Sequence, residues 1–413
     1  MTRLDDPNAA DITIVGAGPT GGTLALLCAQ AGFSTCLIDG RTAEDRKRPD
    51  GRNFAIVRGS WSLLTHAGLT GALLKDAVPL NGLEATDGGR HWFGAPSSLF
   101  SADDLTETPD GTPLGYMVEA TALQTTIDAA LGQTENLTWR DAARFQSMDV
   151  TSSGVEIQLA DAPTIQSRLL VGCDGLKSPV RQAAGIRTEG RAYDKSVFAA
   201  NVSLSRPHGG IARQLFTPEG PFATLPLSGD RANLAWYMKR GAAEALAALP
   251  VSDIEAELNS RFADFAGDMA LEGKAIAYPL ILQIADRMVA PRVALVGDAA
   301  RRINPLAGQG LNLGFKDVAA LIEVLEEADH VGLDIGSLQS LETYQAWRRF
   351  DANTTALTMD AIDRIYSNDN ALLKPLRGLA LMAANQVGPV RRALARQASA
   401  DQDRLPKRMQ FLP

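Results

Sequence analysis

"DITIVGAGPTGGTLAL", Asp11 to Leu26, is a short apolar run that breaks into glycines and then resumes as small apolar residues. Ile12–Val15 reads as a buried strand, Gly16-Ala17-Gly18-Pro19-Thr20-Gly21 as G-x-G-x-x-G, and Thr23–Ala31 as a helix closed by Gly32. A second strand, Ser34–Ile38, ends in Asp39, close to the spacing of about 20 residues at which a ribose-binding acid follows such a loop. In a dinucleotide-binding unit Gly16 makes the tight turn, Gly18 admits a pyrophosphate and Gly21 lets helix and strand pack closely. The helix N-terminus meets the phosphate charge and Asp39 accepts from a ribose hydroxyl. The motif alone does not separate NAD from FAD.

The rest of the composition allows a large cofactor and excludes several classes. The chain has 413 residues, 45% hydrophobic and 21% charged, which favours two intimately connected domains of an ordinary globular enzyme. A net charge of −8 argues against nucleic acid as a partner. The charge is uneven: Ala371 to Pro413 holds eight Lys or Arg against Asp401 and Asp403, leaving +6 there and −14 elsewhere. Cys28, Cys36 and Cys173 form no spaced framework, and the four histidines stand apart from them and from one another, so a reduced compartment is expected and no metal site. The polar start "MTRLDDPNAA" lacks an apolar secretory core, and no stretch is long and apolar enough to span a bilayer. A cytoplasmic protein is expected.

Two distant stretches bear on the cofactor. In "LLVGCDGLKSPVRQAAG", Leu169 to Gly185, a strand ends at Asp174-Gly175 with Ser178 and Arg181 at fixed offsets. In "RVALVGDAARRINPLAGQGLNLGFKDVAAL", Arg292 to Leu321, a strand Val293–Val296 delivers Gly297-Asp298, and a loop through Pro305 and Gly308-Gln309-Gly310 leads into a helix from about Leu311. Asp317 on that helix is either exposed or paired. Asp298 falls at a strand's carboxyl end, where open α/β sheets bind ligands, and the Gly308–Leu311 amides fall at a helix N-terminus suited to negative charge.

With these three stretches the sequence resembles the flavoprotein aromatic hydroxylases of the para-hydroxybenzoate hydroxylase type, over nearly the whole chain. The resemblance implies FAD, with NAD(P)H as co-substrate. It matches Gly16, Gly18, Gly21 and Asp39 to the ADP-binding positions. Asp174 and Gly175 match the motif associated with both FAD and NAD(P)H, and Gly297 and Asp298 match the residues that hold the ribityl chain. Arg52 in "DGRNFAIVRGS" is similar to the arginine near the FAD phosphates, and Gln124 in "VEATALQTTIDAAL" to the helix glutamine beside the flavin. Pro305, Gly308, Gln309, Gly310 and Leu311 complete the cofactor set. Two departures stand out: Asp39 where the family more often has Glu, and Arg301 where many members have His.

The expected fold is α/β: a Rossmann-like FAD-binding domain, an interleaved β-sheet substrate domain and a helical C-terminal region. Roughly 1–75, 115–190 and 288–330 carry the nucleotide-fold signals, 76–114 and 191–287 are inserted, and 331–413 is the helical region. The insert contains β-type runs at "SVFAANVSL" (196–204), "FATLPLS" (222–228) and "ANLAWYMK" (232–239). The chemistry the family implies is the cofactor's, with NAD(P)H and O2 acting through a C4a-hydroperoxyflavin. The protein must supply a dry pocket and stabilise charge at the flavin edge, for which the Gly308–Leu311 amides are the candidates. No catalytic base is legible. Phe216, Phe222, Trp236 and Tyr237 are aromatic candidates for a pocket but serve as core filling far more often.

The stretch Thr358 to Ala400 narrows the resemblance to the ubiquinone-biosynthesis hydroxylases, on Asp363, Tyr366-Ser367-Asn368, Leu376-Arg377-Gly378 and Arg391-Arg392. It implies a polyprenylated phenol as substrate, peripheral contact with the inner face of the membrane through the basic tail, and association with other quinone-biosynthesis proteins. Two readings of the tail stay open: an interfacial amphipathic helix, or a helix packed on the protein's own core with solvated cations. Two other functions stay open beside the leading one: the same fold acting on a soluble phenol or polyketide, and a flavin-binding subunit that does not hydroxylate.

Overall fold

The computed structural model describes residues 8–48, 51–88, 97–101, 112–303, 309–349 and 405–410. The opening strand, Ala9–Val15, lies between the strands Ile165–Gly172 and Thr35–Ile38, parallel to both. Their burial on both faces explains the near-continuous apolar runs. Val293–Leu295 extends the sheet on one side and Leu137–Arg140 on the other, again in parallel. The carboxyl ends of these strands therefore point one way, and the loops after Val15, Ile38, Gly172 and Leu295 emerge together. The helix Pro19–Gln30 starts earlier than Thr23 because Pro19 takes the first helical position, where its missing amide costs nothing.

A second sheet of eight described strands is built on Thr188–Leu204, which pairs antiparallel with Arg231–Lys239 on one side and Met269–Ala285 on the other. The runs at 196–204, 222–228 and 232–239 fall on its strands Thr188–Leu204, Gly220–Leu227 and Arg231–Lys239. One face is closed by the helices Arg240–Ala247 and Val251–Ala266, whose Leu246, Ile254, Leu258 and Phe262 pack with Phe198, Phe222 and Trp236. Phe222 stacks on Phe262 at 3.8 Å, and Trp236 meets Phe262 edge-on. Phe222 and Trp236 are thus core aromatics. Tyr237 points the other way, with Val197 and Leu280, because neighbours on a strand alternate faces.

Two segments depart from the expected division. Ala77–Leu80, placed in the inserted sheet, pairs instead with Gly115–Glu119, which also pairs with Asn53–Val57, so a three-stranded sheet bridges the segments. Arg301–Arg302, placed with the nucleotide fold, pairs with Met269–Ala285 of the second sheet. The cause is the same in both: edge strands take whichever neighbour leaves a row of amides open.

Helix 338–349 follows the long helix Gln309–His330. The tail residues of the family resemblance, 358–400, lie outside the described residues. The far end of the region expected to be helical is a single tight turn, Lys407–Met409, entered through Pro406. Lys407 pairs with Glu323 and Glu327 at 3.3 and 3.1 Å, Arg408 with Glu326, and Met409 is buried beneath Gly59. Cys28 and Cys36 are buried, and burial pushes the Cys36 thiol up to about 11, which leaves it unreactive. No described helix is long and apolar enough to cross a membrane.

Candidate functional site

The glycines of the opening loop have different reasons to be glycine. Gly16 has φ +105°, and a Cβ there would lie 2.4 Å from the Cys173 carbonyl oxygen. At Gly21 a Cβ would lie 1.8 Å from the Gly16 carbonyl oxygen. These two serve the chain's own packing. At Gly18 a Cβ would meet nothing within 4 Å, and Gly18 caps the helix with no side-chain hydrogen bond. Open space before uncapped helical amides fits an anionic group from outside the chain, such as the pyrophosphate of a dinucleotide.

The loop is clamped on both sides of one residue, Ala17. The Ala17 amide donates to Asp39 Oδ2 at 2.7 Å, and the Ala17 carbonyl accepts from Gln124 Nε2 at 2.9 Å. Asp39 also accepts from the Arg41 amide at 2.7 Å and from its guanidinium at 3.0 and 3.1 Å. Burial would raise the Asp39 carboxyl, but the Arg41 and Ala17 hydrogen bonds outweigh it and hold it below the usual value. Gln124 passes the constraint on to Asp128 at 2.6 Å, and Asp128 pairs with buried Arg46, which also pairs with Asp141 and lies 4.5 Å over Trp139. Arg46, Asp128 and Asp141 were not among the sequence candidates. They come from segments far apart in the chain, and no local pattern marks them.

Asp174 accepts from the Val180 amide at 3.0 Å, and Ser178 caps the same short helix, Pro179–Ala183, by accepting from the Arg181 amide. The second Asp174 oxygen is buried without a hydrogen-bond partner, and burial raises the carboxyl. Gly175 has a positive φ and open space around its missing Cβ. Buried Arg181 donates to the Leu176 carbonyl and, across the chain, to the Ala299 carbonyl, each at 2.8 Å. The second motif is thereby stapled to the third.

Gly297, with φ +65°, opens the turn Gly297–Ala299 that carries Asp298. A Cβ on Gly314 of the long helix would come within 2.5 Å of Thr20 and 3.5 Å of the Gly297 Cα, so the glycine-loop helix, the turn and the long helix meet there. Asp298 lies at the middle of that turn. Its side chain is 45% exposed, yet the surrounding protein withdraws enough water to raise its carboxyl, against Arg302 (3.9 Å), Arg52 and Arg301. Burial also pushes the Tyr278 hydroxyl up, opposed by Arg302 and Arg52, so these two arginines act on both Tyr278 and Asp298. Arg52 lies 5.9 Å over the Phe54 ring.

The long helix begins at Gln309, so Gly310 and Leu311 stand in its first turn. Pro305 and Gly308 lie outside the described residues. Asn312, missed in the sequence, joins this turn to the strand after Arg52: it accepts from the Val57 amide at 3.1 Å and donates to the Ala55 carbonyl at 2.8 Å. Asp317 is paired, not exposed. It is fully buried and accepts from the Gly297 amide, Arg301 and Arg348. Among the described residues no group of His, Cys, Asp and Glu could hold a metal ion.

Residues 9–356 match a family described as an FAD binding domain. A ubiquinone hydroxylase of Rhodospirillum rubrum is 38% identical over 94% of this chain and 89% of its own length. A 3-demethoxyubiquinol 3-hydroxylase of Escherichia coli is 36% identical over 94% of this chain and 98% of its own. Among solved structures, p-nitrophenol 4-monooxygenase of Pseudomonas putida has the same fold, with a TM-score of 0.79 at 19% identity, covering 96% of this chain and all of the other.

Proposed function

Because this chain belongs to the FAD-dependent hydroxylases of ubiquinone biosynthesis, we propose that it hydroxylates the aromatic ring of a polyprenylated phenol with NAD(P)H and O2. The observation that supports it best is the meeting of three distant segments at Thr20, Gly297 and Gly314, beside a glycine whose missing side chain no protein atom requires. When bound, FAD supplies the redox chemistry: it accepts a hydride from NAD(P)H and passes one oxygen atom of O2 to the ring.

The chain's residues divide the rest of the task. In this reading Gly16, Gly18 and Gly21 shape the pyrophosphate site, Asp39 takes the adenosine ribose, Arg52 faces the phosphates and Asp298 the ribityl chain. Gln124 holds the loop in shape. Asp174 and Gly175 stand where the cofactor and NAD(P)H approach, and the first-turn amides of the long helix, with Gly310 and Leu311, favour negative charge at the flavin edge.

We place the aromatic substrate against the face of the second sheet that carries Val197, Tyr237, Ile276, Tyr278 and Leu280, because helices cover the opposite face. A Cβ on Gly51 would lie 4.0 Å from Ile276, so the Arg52 loop borders this face. Apolar side chains there would exclude water from the reacting ring. In this reading 1–75, 115–190 and 288–330 form the cofactor domain, and 76–114 with 191–287 the substrate domain, apart from the exchanged edge strands.

The test is NAD(P)H oxidation by the FAD-loaded protein, with and without a short-chain prenylated phenol. Stimulated oxidation with a product heavier by one oxygen is expected. Flavin retention with no stimulation by any phenol would instead identify a non-hydroxylating subunit, and turnover of unprenylated phenols alone would favour the soluble-substrate reading.

A polyprenylated substrate resides in a membrane, and the basic tail suits contact with an anionic surface. Lys407 and Arg408 are committed to glutamates of the long helix, so that contact falls to the other cations. Replacing Arg391, Arg392 and Arg396, all outside the described residues, with Gln should weaken binding to anionic vesicles by about 1 kcal/mol per charge and leave the flavin spectrum unchanged. The native binding should also fall with salt. Equal, salt-insensitive co-sedimentation of both proteins would reassign the tail to core packing or to docking on another quinone-biosynthesis protein.

A further inference from the structure

The second sheet meets the segment that carries Arg52 through a cluster of three amides. Asn201 on the strand Thr188–Leu204 lies directly opposite Asn233 on Arg231–Lys239. Its Oδ1 accepts from Asn233 Nδ2 at 2.8 Å and, across to the three-stranded sheet, from Asn53 Nδ2 at 3.0 Å. Asn53 opens the strand Asn53–Val57 and follows Arg52 in the chain. Alternation puts Asn201 on the same face of its strand as Val197 and Ala199. The cluster therefore stands where the apolar face proposed for the substrate gives way to polar contact with the neighbouring sheet.

A charged link crosses beside it. Arg231 pairs with Glu272 of its own sheet at 2.6 Å and with Glu119, the strand partner of Asn53, at 3.5 Å. These side chains are between 34% and 44% exposed, and ion pairs so open to water contribute little. Asn53 and Asn201 are half-buried and Asn233 is buried, so the amide link is the better shielded and the one that fixes the geometry.

Arg52 touches both bodies. Its carbonyl accepts from the Ala120 amide at 3.1 Å, at the start of the helix whose Gln124 clamps the glycine loop. Its guanidinium favours the charged forms of Asp298, beside the cofactor, and of Tyr278, on the second sheet. Just before it, Gly51 has φ +72°, and its carbonyl accepts from the same Asn53 amide at 3.4 Å. The turn into Arg52 is thereby tied to Asn53, and Asn53 to the second sheet.

We infer that Asn201 is a positioning residue for Arg52: by holding Asn53 against the second sheet, it sets the arginine's reach to the phosphates of FAD. The inference rests on the reading above, in which FAD binds and Arg52 faces its phosphates, and on no particular substrate.

FAD affinity of the full chain, titrated at several salt concentrations in Asn201→Ala, Arg52→Gln and the double variant, tests it. Arg52 is exposed, so its attraction for the phosphates is screened by salt. Arg52→Gln should weaken FAD binding about tenfold at low salt, the worth of a charged hydrogen bond, and flatten the dependence on salt. Asn201→Ala should weaken it about fivefold, the worth of a neutral one, and flatten the same dependence. In the double variant the Asn201 change should add less than about twofold, because both changes act on one contact. Asn53→Ala should reproduce Asn201→Ala. It leaves Asn201 its bond from Asn233, so it carries the test if loss of Asn201 prevents folding, and a thermal melt accompanies each titration. An Asn201 effect of equal size with and without Arg52, an unaltered salt dependence in both amide variants, or a loss that only tracks unfolding would each overturn the inference and leave the cofactor reading standing. Undiminished FAD binding by Arg52→Gln would remove Arg52 from the site, and the inference with it. A native protein that binds no FAD would overturn the cofactor reading and the inference together.

Discussion

Gly18→Glu is expected to fold normally and to lose FAD. A side chain at this position meets no protein atom within 4 Å, and the backbone, with φ −70° and ψ −178°, is one that any residue adopts. A carboxylate at a helix N-terminus is worth about 0.3–1 kcal/mol of added stability, so the thermal melt of the flavin-free protein should be unchanged or slightly raised. The same carboxylate takes the space and the positive potential on which the pyrophosphate depends. Binding and stability then move in opposite directions. Asp298→Ala should be milder, because it removes one charged acceptor worth about 1.5–3 kcal/mol and leaves the phosphate site open. Flavin fluorescence titration beside a melt decides the matter. Native-like FAD affinity in Gly18→Glu would reduce the opening glycines to a structural turn.

Asp317→Asn should be the most destabilising single change. It removes the buried carboxylate that Arg301 and Arg348 share and weakens the acceptor of the Gly297 amide. Breaking one side of a buried ion pair costs about 3–5 kcal/mol, a large share of the 5–15 kcal/mol or so that holds a typical domain together. Adding Arg301→Gln to this variant should recover part of the loss, since one of the two buried cations that Asp317 served is then gone. Chemical denaturation of the single and double variants measures both effects. A single variant as stable as the native chain would mean that water reaches the cluster and that its burial carries little energy.

Much of the fold was legible because its signals are local. The strand, glycine loop, helix and terminal acid from Ile12 to Asp39 lie within one strand–loop–helix–strand unit, in the order the sequence pattern places them. The strands at 196–204, 222–228 and 232–239 were legible as β-type apolar runs bounded by Gly, Pro and Asp. Asp174 and Gly297-Asp298 could be matched to a family because their offsets are constrained by strand ends and tight turns.

What holds these pieces in register was not legible. Gln124 reaches back to Ala17, Arg181 across to Ala299, and Asn312 to Ala55 and Val57, each over a long stretch of chain. Asp317 read equally as exposed or paired until the structure brought Arg301 and Arg348 to it. Likewise, alternation placed Trp236 and Tyr237 on opposite faces of a strand, but only the helices packed over Trp236 decided which face was left to border the Arg52 loop. A residue's type and its near neighbours set its backbone and its polarity. The partner of a buried charge, and the side of a sheet that stays open, depend on which distant segments arrive, and those contacts exist only once the chain has closed on itself.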